Sequence, residues 1–367
     1  MTMTLVAMLG LVPLLAYGNG ANDISKGIAT LVGSGVSSFQ TAVVWGTIWT
    51  VFGGLLAAAA SQGLVATFSG KGFLARPIEG TAFLSAVAIG AIAWVLFASR
   101  TGLPISTTHA IAGALAGAGL VAQGAAALHW SFLAKKVALP LALSPLLSVA
   151  LIYAVFPLLR GAVSRVETYC LCLERRALIV ENGAFTVSVG SSTVVAPVEE
   201  CAASPAVAAR ISAVDALHWF SSALTSLARG LNDTPKIAAL GVVAAAGLGI
   251  SGFRFYLVVA VAMAGGSWIA GLRVTETLAR RVTPMSPGEG FAANLVTTLL
   301  VGAASLAALP VSTTHVSSGS IIGIGLRRGV ESVRWSTVRD MLLAWLVTLP
   351  VAALVAAGVY ALFRVVG

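Results

Sequence analysis

Apolar residues fill six long stretches of this chain, at 41–60, 81–99, 137–159, 255–272, 291–309 and 341–363. Each approaches the roughly 20 residues that a helix needs to cross a bilayer core. Shorter apolar runs, broken by Gly and Pro, lie between them. The pattern predicts an all-α polytopic membrane protein with about 10 to 12 membrane segments, some of them half-length.

Against this background the polar positions stand out, and they come in pairs. "NGANDISKG" at 19–27 places Asn22, Asp23 and Lys26 in an apolar region; "RGLNDTPK" at 229–236 repeats the spacing with Asn232, Asp233 and Lys236. Glu79-Gly80 recurs as Glu289-Gly290 at the same offset of 210, and Gly53-Gly54 recurs near it as Gly265-Gly266. "LPISTTHA" from Leu103 recurs as "LPVSTTHV" from Leu309, at an offset of 206. These landmarks, in one order, mark a duplication: a first transmembrane repeat over 1–158 and a second over 211–367.

The segment between them, 159–210, has another character. It holds five Arg, five Glu and all three cysteines. Asn182-Gly183 between β-branched runs is a hairpin signal, so a small extramembrane β-hairpin is expected there. Arg160, Arg165, Arg175 and Arg176 lean it toward the cytoplasm. Cys170, Cys172 and Cys201 have no convincing fourth ligand nearby and read as ordinary loop cysteines. No metal and no cofactor is expected.

Composition agrees with the membrane reading. The chain is 58% hydrophobic and 10% charged, where a soluble domain is about a quarter charged. The net charge of +9 is spread over loops and helix ends. Positive loops facing the cytoplasm account for it without a nucleic-acid partner. The N-terminus lacks a basic leader and is read as a retained first helix.

Ionisable residues inside membrane segments are costly and usually line a pathway. Asp23 and Asp233 sit among Gly and Asn, which favours an unwound break exposing carbonyls. A simpler role is a helix cap paired with the following lysine, but recurrence in both halves favours a site. Pro104 and Pro310 suit a helical first turn. Ser106, Thr107 and Thr108, and likewise Ser312, Thr313 and Thr314, then bring hydroxyls and free N–H groups to a positive helix end. That arrangement fits a tetrahedral oxyanion, and three hydroxyls exceed what a cap needs. His109 and His315 invite a hydrolase reading, yet no nucleophile-elbow pattern accompanies them; local hydrogen bonding or proton relay fits better, and no enzymatic activity is expected. His129 and His218 are expected at helix ends facing the membrane interface.

"NGANDISKGIATLVGSG" and the paired P-[IV]-S-T-T-H segments resemble the inorganic phosphate transporter (PiT) family of secondary anion transporters. The resemblance spans nearly the whole chain apart from the central segment. It implies two inverted-topology repeats, a homodimer in a plasma or bacterial inner membrane surrounded by lipid, and phosphate held between the halves. It carries a binding role onto Asn22, Ser106, Thr107, Thr108, Asn232, Ser312, Thr313 and Thr314, and carries Asp23 and Asp233 into the site.

The departures are specific. Lys26 and Lys236 stand where the family's motif has Asn; Arg229 stands where the family often has His; Thr50 and Asn294 take positions where Glu is common. In the family, acidic and amide oxygens near the aspartates are associated with sodium. The expectation is therefore that Lys26 and Lys236, with Asp23 and Asp233, balance charge in place of sodium, so that transport is sodium-independent and protons drive it. Phosphate is the expected substrate. Sulfate is the alternative, because loss of two carboxylates removes acceptors for a phosphate O–H. An anion channel is a further alternative.

Overall fold

The computed structural model describes residues 2–60, 62–70, 73–74, 78, 80–178, 188–197, 199–200 and 207–366. The first half contains α1 (Thr2–Asp23), α2 (Ser25–Gly33), α3 (Phe39–Ala60), α4 (Gln62–Phe68), α5 (Thr81–Thr101), α6 (Thr107–Gln123) and α7 (Trp130–Val166). The second contains α8 (Ala213–Ala238), α9 (Val242–Gly247), α10 (Gly252–Ala270), α11 (Leu272–Arg280), α12 (Pro287–Leu306), α13 (Thr313–Arg328) and α14 (Trp335–Val366). Helices of similar length thus follow one another in the same order in both halves.

Six helices, α3, α5, α7, α10, α12 and α14, are long and apolar enough to cross a membrane. They coincide with the six apolar stretches of the sequence. The other segments include α1 and α8, which carry the Asn-Asp pairs, and α6 and α13, of 17 and 16 residues. At 1.5 Å per residue these last two reach only about 25 Å, short of a full crossing. Each begins after irregular backbone. Such backbone is tolerated at membrane depth only inside protein, and Pro104, Ile105, Ser106, Pro310, Val311 and Ser312 are all buried.

The halves interlock by exchange. α1 packs on α10 while α8 packs on α3; α6 packs on α14 while α13 packs on α7. Glycine permits these contacts, because small residues let membrane helices approach backbone to backbone. A Cβ on Gly20 would lie 1.9 Å from Met263 O, and one on Gly266 1.9 Å from Tyr17 O. Gly230 meets Thr50 O in the same way, at 2.2 Å.

This close packing corrects the expected unwound break. Ile24, between α1 and α2, keeps right-handed helical angles (φ −55°, ψ −34°), and its N–H bonds to Gly20 O at 3.2 Å. α8 runs unbroken through Asn232 and Asp233. The glycines beside the aspartates serve helix contact rather than unwinding.

The central segment forms more than a hairpin. β1 (Tyr169–Leu178) pairs antiparallel with β2 (Ser188–Pro197), and β3 (Val207–Ser212) adds to the other edge of β1, giving the order β2-β1-β3. The pairing runs from Tyr169–Pro197 to Leu178–Ser188; Asn182 and Gly183, the expected turn, lie outside the described residues. Cys170 is a buried free thiol, and Cys172 is disulfide-bonded, so the reading of all three as ordinary loop cysteines is corrected. Cys201 lies outside the described residues. His218, expected at the interface, is fully buried in α8 and packs over Gly290, whose missing side chain makes room for the ring. His129 is exposed.

Candidate functional site

The two hydroxyl triplets open α6 and α13. Ser106 and Ser312 are the N-caps, each accepting from the backbone N–H three residues on (His109 and His315) at 3.2 Å. The helices therefore start at Thr107 and Thr313. Pro104 and Pro310 lie ahead of the caps rather than in the first turn, a correction that follows from the serines taking the capping position. The capped ends leave the N–H groups of Thr107, Thr108, Thr313 and Thr314 among each helix's free N-terminal donors.

These two ends meet. Thr314 Oγ1 donates to Ile105 O at 2.6 Å, and Thr108 Oγ1 donates to Val311 O at 3.4 Å. The bonds are counterparts at the offset of 206. The His109 and His315 rings are 4.6 Å apart, His315 Nδ1 lies 3.0 Å from Leu141 O, and the Trp345 ring packs against His315 at 4.0 Å. All six triplet residues are buried.

An amide–carboxylate cluster lies against them. Asn19 Nδ2 donates to Asp23 Oδ2 at 2.7 Å, to Thr107 Oγ1 at 3.1 Å and to Asp233 Oδ2 at 3.4 Å, so one amide joins both aspartates to the first triplet. Asn232 Nδ2 donates to Asp233 Oδ1 at 2.9 Å and to Thr313 Oγ1 at 3.1 Å. Asn22 holds the approach to α6 by accepting from Ile105 N–H at 3.1 Å and donating to Leu103 O at 2.9 Å. The residues assigned from the sequence thus share one buried region.

Both lysines are inside it. Lys26 and Lys236 are each 1% exposed, which rules out the outward, interface-seeking posture of a membrane lysine. Lys26 Nζ lies 2.7 Å from Asp23 Oδ1 and donates to Asn22 O at 2.7 Å and Asn22 Oδ1 at 2.8 Å. Lys236 Nζ donates to Thr108 Oγ1 at 2.8 Å and Val311 O at 2.9 Å, with Asp233 Oδ1 at 3.6 Å. Thr50 and Asn294 are also buried: Thr50 Oγ1 donates to Ser226 O at 3.4 Å, and Asn294 Oδ1 accepts from Thr30 Oγ1 at 3.0 Å.

Asn19 is a member that the sequence reading did not assign. Its signal is the offset itself: 210 residues on stands Arg229, also fully buried. Glu289 lies outside the cluster, capping α12 with Ser286 and pairing with Arg328; its counterpart Glu79 lies outside the described residues. A cavity of ≈ 520 Å³ is lined by Tyr17, Ala21, Ser99, Arg100 and Arg273 among others, and the Ser99 hydroxyl accepts from Asn22 Nδ2 at 3.4 Å.

The arrangement brings hydroxyls, helix-end N–H groups, two lysines and two carboxylates into one buried region, with donor types that suit an anion. Known proteins of similar sequence and fold agree in kind. A Rhizobium meliloti (strain 1021) protein, "Probable low-affinity inorganic phosphate transporter", is 29% identical over 97% of this chain and 95% of its own length. The Arabidopsis thaliana "Inorganic phosphate transporter 2-1, chloroplastic" is 29% identical over 93% of this chain and 69% of its own. A solved structure titled "The sodium-dependent phosphate transporter" superposes with a TM-score of 0.78 over the full length of both chains at 22% identity, a likeness of fold. The profile of the Phosphate transporter family matches residues 19–356, and the chain, a multi-pass membrane protein, belongs to that family.

Proposed function

We propose that this protein is a secondary carrier of inorganic phosphate that works by alternating access and needs no sodium, Lys26 and Lys236 holding fixed positive charge beside the anion. One observation carries the sodium reading. Lys26 Nζ is ringed at hydrogen-bond distance by a carboxylate, a side-chain amide oxygen and a backbone carbonyl. An ammonium has three donors and no acceptor, so this one is saturated. The carbonyl lies at the junction of α1 and α2, where it also accepts from Ser25 Oγ at 2.8 Å, and backbone carbonyls at helix C-terminal ends are ligands that secondary transporters use for sodium or protons. A tethered ammonium fills such a place and cannot leave with the substrate.

The two repeats would be related by an axis in the membrane plane, with the triplets gripping phosphate near the bilayer centre. Rocking of one set of helices against the other would open the site to each side in turn. Protons are the proposed driving ion, entering through Asp23 or Asp233, and a homodimer is the proposed assembly. Sulfate is the second reading, favoured by Thr50 and Asn294 in place of carboxylates.

Uptake of labelled phosphate and sulfate into proteoliposomes tests this, with sodium and pH gradients varied separately. The reading expects saturable, concentrative phosphate uptake that follows an inward proton gradient. Non-concentrative flux would identify a channel, and sulfate uptake excluding phosphate would identify the sulfate alternative.

A further inference from the structure

Arg229 sits on α8 one turn before Asn232-Asp233 and two turns before Lys236, so the four share one helix face. It is 0% exposed and is among the largest fully buried side chains. None of Nε, Nη1 or Nη2 has a hydrogen-bond partner among the described residues. Asp23 and Asp233 attract its charge and Lys26 opposes it, yet it makes no ion pair with either carboxylate.

Its counterpart shows what is missing. Asn19, at the equivalent place in the first repeat, spends its amide on both aspartates and Thr107. The carboxylates are thereby committed elsewhere: Asp23 to Lys26, Asn19 and Thr107, and Asp233 to Asn232, Asn19 and Lys236. Three cations, Lys26, Lys236 and Arg229, face two carboxylates, which leaves one positive charge unbalanced. A buried, unpaired guanidinium is strongly unfavourable unless an acceptor reaches it. That acceptor must be anionic, and the planar fork of an arginine matches two oxygens of one group.

We propose that Arg229 is a direct ligand of the transported oxyanion, its fork taking two of the anion's oxygens while the Ser-Thr-Thr triplets take others. The inference rests on the reading above that this cluster is the anion site. It adds to the two tethered ammonium groups of that reading a third positive charge, one that neither aspartate offsets by an ion pair. A guanidinium stays protonated at any working pH, so this contribution is independent of the proton that drives transport.

The test compares the purified protein with Arg229→Gln, Arg229→Lys and a surface control, Arg254→Gln. Phosphate and sulfate binding are read by calorimetry and by anion-dependent thermal stabilisation, and uptake KM and Vmax are read in proteoliposomes. Loss of charge-assisted hydrogen bonds predicts roughly 10- to 100-fold weaker binding in Arg229→Gln. Arg229→Lys keeps the charge but loses the fork, and is expected to weaken binding about tenfold with its fold intact. Arg254→Gln is expected to match the native protein. Should Arg229→Gln fail to fold, Arg229→Lys decides. A folded variant that binds the anion within twofold of the native protein overturns the inference while leaving the transport reading standing. A native protein that binds neither phosphate nor sulfate overturns both.

Discussion

Lys236 is bonded more closely to Thr108 than to its own aspartate: Nζ lies 2.8 Å from Thr108 Oγ1 and 3.6 Å from Asp233 Oδ1. Lys26, by contrast, spends its bonds within its own segment, on Asn22 and Asp23. The duplicated lysines are therefore not equivalent. One closes a local ring of oxygens, while the other ties the second half of the molecule to the hydroxyl triplet of the first.

Removing that tie has a defined cost. Lys236→Met leaves Asp233 buried without its cation, and breaking a buried pair in this way typically costs about 3–5 kcal/mol. The double variant Lys236→Met/Asp233→Asn removes both charges and is expected to recover most of the loss. Unfolding titrations in mild detergent measure both. A double variant no more stable than the single one would show that the two side chains do not interact.

The aspartates are expected to matter for transport far more than a central-segment carboxylate. Asp23→Asn and Asp233→Asn each leave a lysine without its counter-charge in a fully buried site, and initial phosphate uptake should fall about tenfold or more. Glu199 is exposed in the central segment, and Glu199→Gln should stay within about twofold, as surface substitutions do. Equal uptake by all three variants would reduce the aspartates to a structural role.

Helix contact makes a separate demand on the glycines. Gly20→Ala and Gly266→Ala each drive a methyl into a backbone carbonyl at 1.9 Å, and overpacking of this kind costs about 1–3 kcal/mol or more. Gly302 in α12 has nothing within 4 Å of its would-be Cβ, so Gly302→Ala should be neutral or gain about 0.5–1 kcal/mol. Thermal unfolding of the three variants checks the contrast; a Gly302→Ala loss as large as that of Gly20→Ala would refute it.

The spanning helices were legible because length and hydropathy alone define them: 39–60 and 287–306 are visible in the sequence to within a few residues. The triplets and Asn-Asp pairs were legible because they occur twice. What local pattern could not show is use. The glycines around Asp23 signal flexibility by composition, but their neighbours in space are Met263 and Ser226, hundreds of residues away, and contact rather than unwinding decides their role. His218 reads as a helix-end residue until Gly290 is found beneath its ring. Asn19 escaped assignment because its partners, Thr107 and Asp233, come from three separate helices with it. β3 joined the sheet through a pairing with β1 that no turn signal announces.

Sodium dependence tests the central claim most directly. Initial uptake of labelled phosphate into proteoliposomes is measured at fixed pH in sodium, potassium and choline buffers, for the native protein and for Lys26→Asn/Lys236→Asn. With the Lys26 ammonium seated among carboxylate, amide and carbonyl oxygens and that of Lys236 among hydroxyl, carbonyl and carboxylate oxygens, the native protein should transport equally in all three buffers, and the double variant should work only with sodium. A native protein that stops transporting when sodium is replaced by choline would contradict the account.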